Sequence, residues 1–255
     1  MSRLFKARVV KHTAVKGPFK VLSVGPLSEI IPPEPGQFFM LQTSSGSDPL
    51  LKRPLSLFRH RDGELQFLYR IRGKGTACLS RVAGGDVIEM LGPLGNAYPV
   101  PPGDFVVSAG GIGVASLFSL MENYKQRARL YYGARNSDEL LMLDETKVLA
   151  KDFCITTDDG SAGSKGLITE PLMEFIGSSS FRESPMPIYA CGPSPMLRAL
   201  ASIIKGKKLD CYVSLEEVMA CGVGACLGCV TRTVTGYQRV CKEGPVFRIE
   251  DIIWE

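Results

Sequence analysis

FVVSAGGIGVASLFSLMENYKQ, residues 105–126, runs from an apolar segment through glycines into a stretch with helical apolar spacing. Phe105–Ala109 reads as a buried strand, Gly110–Gly113 as a tight turn, and the remainder as an amphipathic helix. A strand that enters a glycine turn and opens a helix is the context a dinucleotide turn requires. The turn is not a full G-x-G-x-x-G: Gly111 and Gly113 fit, but Ser116 stands at the third glycine. The acid expected about twenty residues further on is also missing, and YYGAR (131–135) occupies that place. Arg135 fits either an adenosine ribose or phosphate contact or a solvated arginine, so these residues leave NAD against NADP open.

Downstream the pattern repeats. ARLYYGAR, FCITTDDG and MPIYACG read as strands, and SDELLMLDETKVLA, LITEPLMEFI and SPMLRALASIIK read as helices, the first of them capped by Ser137. Alternation of this kind predicts a parallel, helix-covered Rossmann-like sheet. ACGPSPM (190–196) puts Cys191, Gly192 and Pro193 at the C-terminal end of a strand, the edge where such sheets bind ligands. A strand-to-helix turn with a buried thiol is the plainer alternative.

Upstream the character changes at YPVPPGD (98–104), whose prolines mark a boundary. Before it, FKARVV, FKVLSV, GQFFMLQT, ELQFLYRI and DVIEML are short strands separated by Gly, Pro and Asp, the spacing of a small barrel or sandwich. In ELQFLYRI, Leu65, Phe67, Tyr69 and Ile71 share one face, and Leu68, Arg70 and Arg72 the other. The expected division is therefore a barrel over 1–101, an α/β domain over 102–208 and a small cysteine-rich module over 209–255.

That module holds ACGVGACLGCV (220–230) and then Cys241. The spacing C-x4-C-x2-C-x11-C, from Cys221, Cys226, Cys229 and Cys241, differs from the two short-spaced pairs of structural zinc sites. It follows the plant-type [2Fe–2S] order. Gly222, Gly224 and Gly228 let the backbone curl around an inorganic cluster and aim N–H groups at sulfur. Zinc and unligated thiols are the alternatives. Cys78, Cys154 and Cys211 read as core thiols. Glu216 and Glu217, just before the loop, either shape an interface or end a solvated strand.

A [2Fe–2S] cluster carries one electron, whereas NADH delivers two as a hydride. A flavin interconverts the two modes, so the loop predicts a flavin site upstream. RPLSLF (53–58) and RGKGTACLS (72–80) are the candidates. Arg53 suits a phosphate and Ser56 a flavin ring, and GKGT before a short helix offers backbone N–H groups to a pyrophosphate. Taken singly, each is also an ordinary edge strand or glycine turn.

Composition is that of an ordinary soluble globular protein. The 255 residues are 45% hydrophobic and 22% charged, with a formal net charge of +4. There is no basic stripe interleaved with aromatics to suggest nucleic acid. No apolar run is long enough to span a bilayer. MSRLFKARVVKHTAVK lacks the apolar core of a signal peptide, so a cytoplasmic location is expected. Eight cysteines against two histidines, clustered as they are, favour metal over disulfides in that compartment.

RPLS, GT after a glycine turn, GGIG and CGP, in this order, resemble the ferredoxin–NADP reductase superfamily over essentially the whole chain. SLEEVMACGVGACLGC resembles its branch of electron-transfer subunits from NAD-dependent dihydroorotate dehydrogenase B. The resemblance implies a flavin-binding barrel, a nucleotide-binding domain and a [2Fe–2S] module. It implies that Arg53, Pro54, Leu55 and Ser56 line FAD, and that Leu68, Tyr69 and Arg70 follow its ribityl and phosphate chain. Gly75 and Thr76 take the pyrophosphate. Gly110, Gly111 and Gly113 dock NAD together with Cys191, Gly192 and Pro193, and Cys221, Cys226, Cys229 and Cys241 hold the cluster.

It further implies a catalytic FMN-containing partner that oxidises dihydroorotate for pyrimidine biosynthesis, in a heterotetramer with two of each subunit. Subunits of sulfide dehydrogenases, of sulfhydrogenases and of NADH-dependent ferredoxin–NADP oxidoreductases are similar and form the alternative. A zinc-binding regulatory module on the same scaffold is a third.

Overall fold

A computed structural model describes residues 3–44, 46 and 48–254. The N-terminal part contains β1 (Arg3–Lys16), β2 (Phe19–Pro26), β3 (Phe38–Leu41), β4 (Arg53–Ser56), β5 (Arg59–Arg61), β6 (Glu64–Arg70), α1 (Lys74–Leu79) and β7 (Val87–Leu94). The strands form one antiparallel sheet in the order β4-β3-β7-β1-β2-β6-β5. It curls until β4 packs on β6, which makes a half-barrel. The period-two pattern explains the curl. Phe5, Ala7 and Val9 point inward from β1, and Leu65, Phe67 and Tyr69 from β6, into a core that includes Phe39 and Met90.

The other face of β6 is covered at Leu68 and open at Arg70. Leu68 is buried with Phe19, Phe58 and Phe118 in a core shared with the second part of the chain. Burial of these side chains at about 1.5–3 kcal/mol each makes the contact between the two parts a core in its own right. Arg59 on β5 lies 4.7 Å from the Phe118 ring and pairs with Glu122 at 3.0 Å, so a charge seals the rim.

The second part contains β8 (Phe105–Gly110), α2 (Val114–Asn123), β9 (Ala128–Ala134), α3 (Leu143–Leu149), β10 (Asp152–Thr157), β11 (Ser164–Lys165), α4 (Thr169–Gly177), α5 (Ser179–Glu183), β12 (Ile188–Cys191) and α6 (Ser194–Ile204). After these come β13 (Cys211–Ser214), β14 (Val230–Thr233), β15 (Gly236–Arg239) and β16 (Val246–Arg248). The second sheet runs β11-β10-β9-β8-β12-β13-β16, parallel except for β16. From β8 the chain winds outward through β9 and β10, then returns on the other side as β12 and β13. The switch point of the topology, where open sheets bind ligands, therefore lies between β8 and β12. Val106 and Val107 face opposite covering layers, and both are fully buried.

The sheet does not stop at residue 208. β13 and β16 come from the stretch expected to be the cysteine-rich module alone, and they clamp the cysteine segment between two strands of the second sheet. What stands outside is the loop and the β14–β15 hairpin. Ser137 is not the cap of a continuous helix. Asn136 Oδ1 accepts the N–H groups of Asp138 and Glu139 at 3.0 and 3.2 Å over a single turn, and α3 starts only at Leu143, after Met142 takes φ +53°. Of the three remaining thiols, Cys211 is buried, while Cys78 and Cys154 are half-buried. Among the described residues no helix is long and apolar enough to cross a membrane.

Candidate functional site

Where the half-barrel meets the second sheet, a cavity of about 320 Å³ opens. Six of the nine residues expected around FAD line it: Pro54, Leu55 and Ser56 from β4, and Leu68, Tyr69 and Arg70 from β6. The other three gather beside it. A Cβ on Gly75 would lie 2.6 Å from Arg53 Cζ, so the absent side chain is what lets the guanidinium lie against α1. Arg53 Nη1 is held there by the Leu51 carbonyl at 2.5 Å. Thr76 Oγ1 accepts the Arg72 N–H at 2.7 Å and closes the turn. Two motifs separated by thirteen residues, 59–71, are thus one cationic cradle, the chemistry a pyrophosphate needs.

A second cavity, about 520 Å³, follows the C-terminal edge of the parallel sheet. Gly110, Gly111, Gly113, Gly192 and Pro193 line it, at the switch point between β8 and β12. The glycines are there for close approach. A Cβ on Gly110 would stand 2.7 Å from Met196 Sδ and Pro193 Cδ, and one on Gly113 would stand 2.6 Å from the Cys191 carbonyl carbon. GGIG and CGP therefore interlock. Asp158, just after β10, lines this cavity with Arg135, so an acid reaches it from beyond the strand next to β9.

Gly113, Ile112, Arg70, Arg72 and Glu216 border both cavities, which makes them one continuous cleft. Cys191 faces the smaller one rather than the larger. Its thiol is buried and bonded to Ser116 and Ser214, and burial pushes it far above the ordinary cysteine value, so it is a neutral thiol and not a nucleophile. Tyr98 Oη and Ser116 Oγ lie 3.2 Å apart and extend the same polar floor. Glu216 is exposed and borders the cleft. The crowding raises its carboxyl, and Arg72 opposes the rise.

The cysteine loop sits on the rim of the barrel. Gly222 has φ +72°, and a Cβ there would lie 2.6 Å from Met40 Cγ. Gly224 has φ +80°, and its carbonyl accepts Arg239 Nη1 at 2.9 Å. The N–H of Gly224 points at Cys241 Sγ at 3.1 Å, that of Val223 at Cys221 Sγ at 3.4 Å, and that of Cys241 at Cys229 Sγ at 3.4 Å. Cys221 neighbours Cys226 and Cys229 neighbours Cys241, and all four are free thiols. Among the described residues no three His, Cys, Asp or Glu side chains gather as a site for one metal ion. Four thiols in two neighbouring pairs suit a cluster of two irons, each taking two thiolates.

Burial opposes ionisation of Cys221, but the N–H groups of Val223, Cys226 and Ala225 outweigh it and bring the thiol down to about 6. Burial and Cys229 push Cys241 up to about 12.

The loop is also tied to the cavity. Asn96, after β7, donates its N–H to the Gly244 carbonyl and its Nδ2 to the Glu243 carbonyl, both at 2.6 Å. This fixes Pro245, which lines the smaller cavity together with Met219. Sequence reasoning missed Met219, Pro245, Asn96 and Asp158. Each contributes through a contact between segments distant in the chain.

Residues 107–202 match the oxidoreductase NAD-binding domain, and residues 216–253 match the iron–sulfur cluster binding domain of dihydroorotate dehydrogenase B. The electron transfer subunit of dihydroorotate dehydrogenase B (NAD(+)) from Caldanaerobacter subterraneus subsp. tengcongensis is 37% identical over 227 residues, 87% of this chain and 88% of that protein. An electron transfer subunit homolog from Aquifex aeolicus is 35% identical over 253 residues, 97% of each. Among solved structures, a chain of the NADH-dependent reduced ferredoxin–NADP oxidoreductase superposes with a TM-score of 0.82 at 26% identity, over 97% of this chain and 90% of that one. Phthalate dioxygenase reductase shares the fold, with a TM-score of 0.68 at 15% identity over 93% and 94%.

Proposed function

The chain belongs to the electron transfer subunits of dihydroorotate dehydrogenase B, an oxidoreductase family, and from that premise we propose that it carries electrons between a dihydroorotate-oxidising FMN subunit and NAD+. Its carriers are FAD, a hydride acceptor that releases electrons singly when bound, and a [2Fe–2S] cluster. The observation that carries this reading is the position of the smaller cavity. One wall of it is the GGIG–CGP edge, and another is Met219 and Pro245, the neighbours in sequence of Cys221 and Cys241.

Each part of the chain has its task. Residues 1–101 hold FAD: Arg53, Gly75 and Thr76 take its pyrophosphate, and Pro54–Ser56 with Leu68–Arg70 surround the rest. Residues 102–208 hold NAD on Gly110, Gly111, Gly113, Gly192 and Pro193, with Cys191 against the reacting end. Within 209–255, Cys221, Cys226, Cys229 and Cys241 hold the cluster. The interlocked glycines keep the reacting groups in contact and exclude bulk water between them. The neutral Cys191 thiol packs without carrying a charge into the cleft.

The partner docks over the loop. Cys226 is exposed, and Val218, Val223 and Leu227 around it are 85%, 46% and 62% exposed, an apolar rim of the kind that interfaces cover. Two copies of each subunit in the cytoplasm complete the proposal. The second reading, a subunit of an NADH-dependent ferredoxin–NADP oxidoreductase or sulfide dehydrogenase, draws support from the superposition over 97% of the chain.

Co-expression with a dihydroorotate-oxidising flavin subunit separates the two. Co-elution and dihydroorotate-dependent formation of NADH are expected. A chain that holds both carriers yet neither co-elutes nor makes NADH would overturn the first reading.

A further inference from the structure

His12, in the second half of β1, has both ring nitrogens engaged, and the function described so far does not use it. Nδ1 lies 2.9 Å from the Val82 carbonyl oxygen, and Nε2 lies 2.9 Å from Tyr69 Oη. A carbonyl only accepts, so Nδ1 carries the proton. In the neutral ring Nε2 is then an acceptor, and the Tyr69 hydroxyl donates to it.

The partners are two segments assigned to the flavin under the proposed function. Tyr69 lines the smaller cavity and is 1% exposed. Val82 lies just beyond α1, whose first turn contains Gly75 and Thr76. Lys20 on β2 grips the same stretch by donating from Nζ to the Ser80 carbonyl at 3.0 Å. One side chain of β1 therefore joins the strand beside the cavity to the helix beside Arg53.

We propose that His12 is a positioning residue of the flavin site, holding the Tyr69 ring and α1 in register only as the neutral Nδ1–H tautomer. The proposal rests on the assignment of Tyr69 and α1 to FAD. Protonation turns Nε2 into a donor, forces the buried Tyr69 hydroxyl to give up its acceptor, and sets a cation near Lys20.

The groups that face the ring are Lys20 from β2, Tyr69 from β6 and the Val82 carbonyl from the loop after α1. Among the described residues no carboxylate bonds to it. Burial lowers the ring's pKa from its ordinary 6.5, the Val82 bond opposes this, and Lys20 adds to the lowering. Burial also holds Tyr69 neutral. A depressed histidine contributes fully above 6.5, and its contribution falls away as the pH drops below that value.

The test is the dissociation constant of FAD from the full chain, read by flavin fluorescence across and below pH 6.5, together with the 15N shifts of the His12 ring in the flavin-free chain. The wild type should bind evenly at and above 6.5, where the ring of the flavin-free chain is already neutral, and more weakly once the pH falls below the ring's lowered pKa. His12→Leu should weaken binding roughly fivefold at neutral pH, the worth of about one net buried hydrogen bond. His12→Gln keeps an acceptor and a donor, so it should retain most of the affinity and lose the acid sensitivity. His60→Gln should behave as wild type.

Acid loss unchanged in His12→Gln, or ring shifts reporting Nε2–H, would overturn the proposal. A chain that takes up no FAD at any pH would instead overturn the flavin assignment itself, while the ring shifts still decide the bonding.

Discussion

The cysteine loop and the cleft beside it solve the same problem, holding a redox group, by opposite means. The loop is local. Three of its four thiols fall within nine residues, its turns are made by Gly222 and Gly224 at positive φ, and its N–H groups aim at its own sulfurs. The cleft is assembled from β4, β6, the turn after β8, the end of β12 and the segment before the loop. Its charges, Arg70, Arg72 and Glu216 among them, come from separate segments, and it depends on close approach at Gly75, Gly110 and Gly113. The contrast teaches that covalent ligation tolerates a loose scaffold, whereas non-covalent binding needs several rigid elements in register.

If so, damage to one region should spare the other. The largest effect is expected from Cys226→Ser. The side chain is exposed, so serine fits without repacking, yet one of the four thiolates is gone. Iron and sulfide analysis should find the cluster lost, with FAD content and NADH-to-dye activity retained; equal loss of both would break the contrast. Arg53→Ala comes next. Removal of a charged hydrogen bond to phosphate costs about 1.5–3 kcal/mol, so FAD should dissociate roughly ten- to a hundredfold more readily with the cluster intact. Unchanged flavin content after gel filtration would remove Arg53 from the site.

Gly222→Ala should be milder. It places a Cβ at positive φ, close to Met40, and strain of about 1–2 kcal/mol should reduce cluster retention several-fold without touching FAD. The smallest effect concerns acid. Hydrogen bonding from Arg239 holds the Glu243 carboxyl down at about 2, from an ordinary 4.5. A depressed carboxylate supports the loop above 4.5, and that support fades as the pH falls toward 2. Cluster release in mild acid should therefore come earlier in Glu243→Gln than in the wild type, with flavin release moving less.

The same contrast governs what the sequence makes legible. The spacing of Cys221, Cys226, Cys229 and Cys241 is a one-dimensional fact, and so are the strand–turn–helix at Gly110–Gly113 and the alternation in β6. The cleft is legible only in part. Pro54–Ser56 and Leu68–Arg70 come together as the resemblance implies, but the contact of Arg53 with Gly75 and the roles of Met219, Pro245 and Asn96 exist only after folding. Asp158 escaped because the acid was sought after β9, whereas parallel pairing brings the end of β10 beside it. The end of the second sheet was misplaced for a similar reason. β13 and β16 are ordinary short strands in sequence, and only their pairing with β12 and with each other makes them part of that sheet. The cap is Asn136 instead of Ser137, one residue earlier, because its Oδ1 accepts the N–H groups of Asp138 and Glu139.

Transfer between the two regions is the central claim, and anaerobic titration of the fully loaded chain with NADH tests it most directly. The visible flavin band and the electron paramagnetic resonance of the cluster are read together. The account predicts that both respond in the wild type and that only the flavin responds in Cys226→Ser. A wild-type chain in which NADH bleaches the flavin and leaves the cluster oxidised would contradict it.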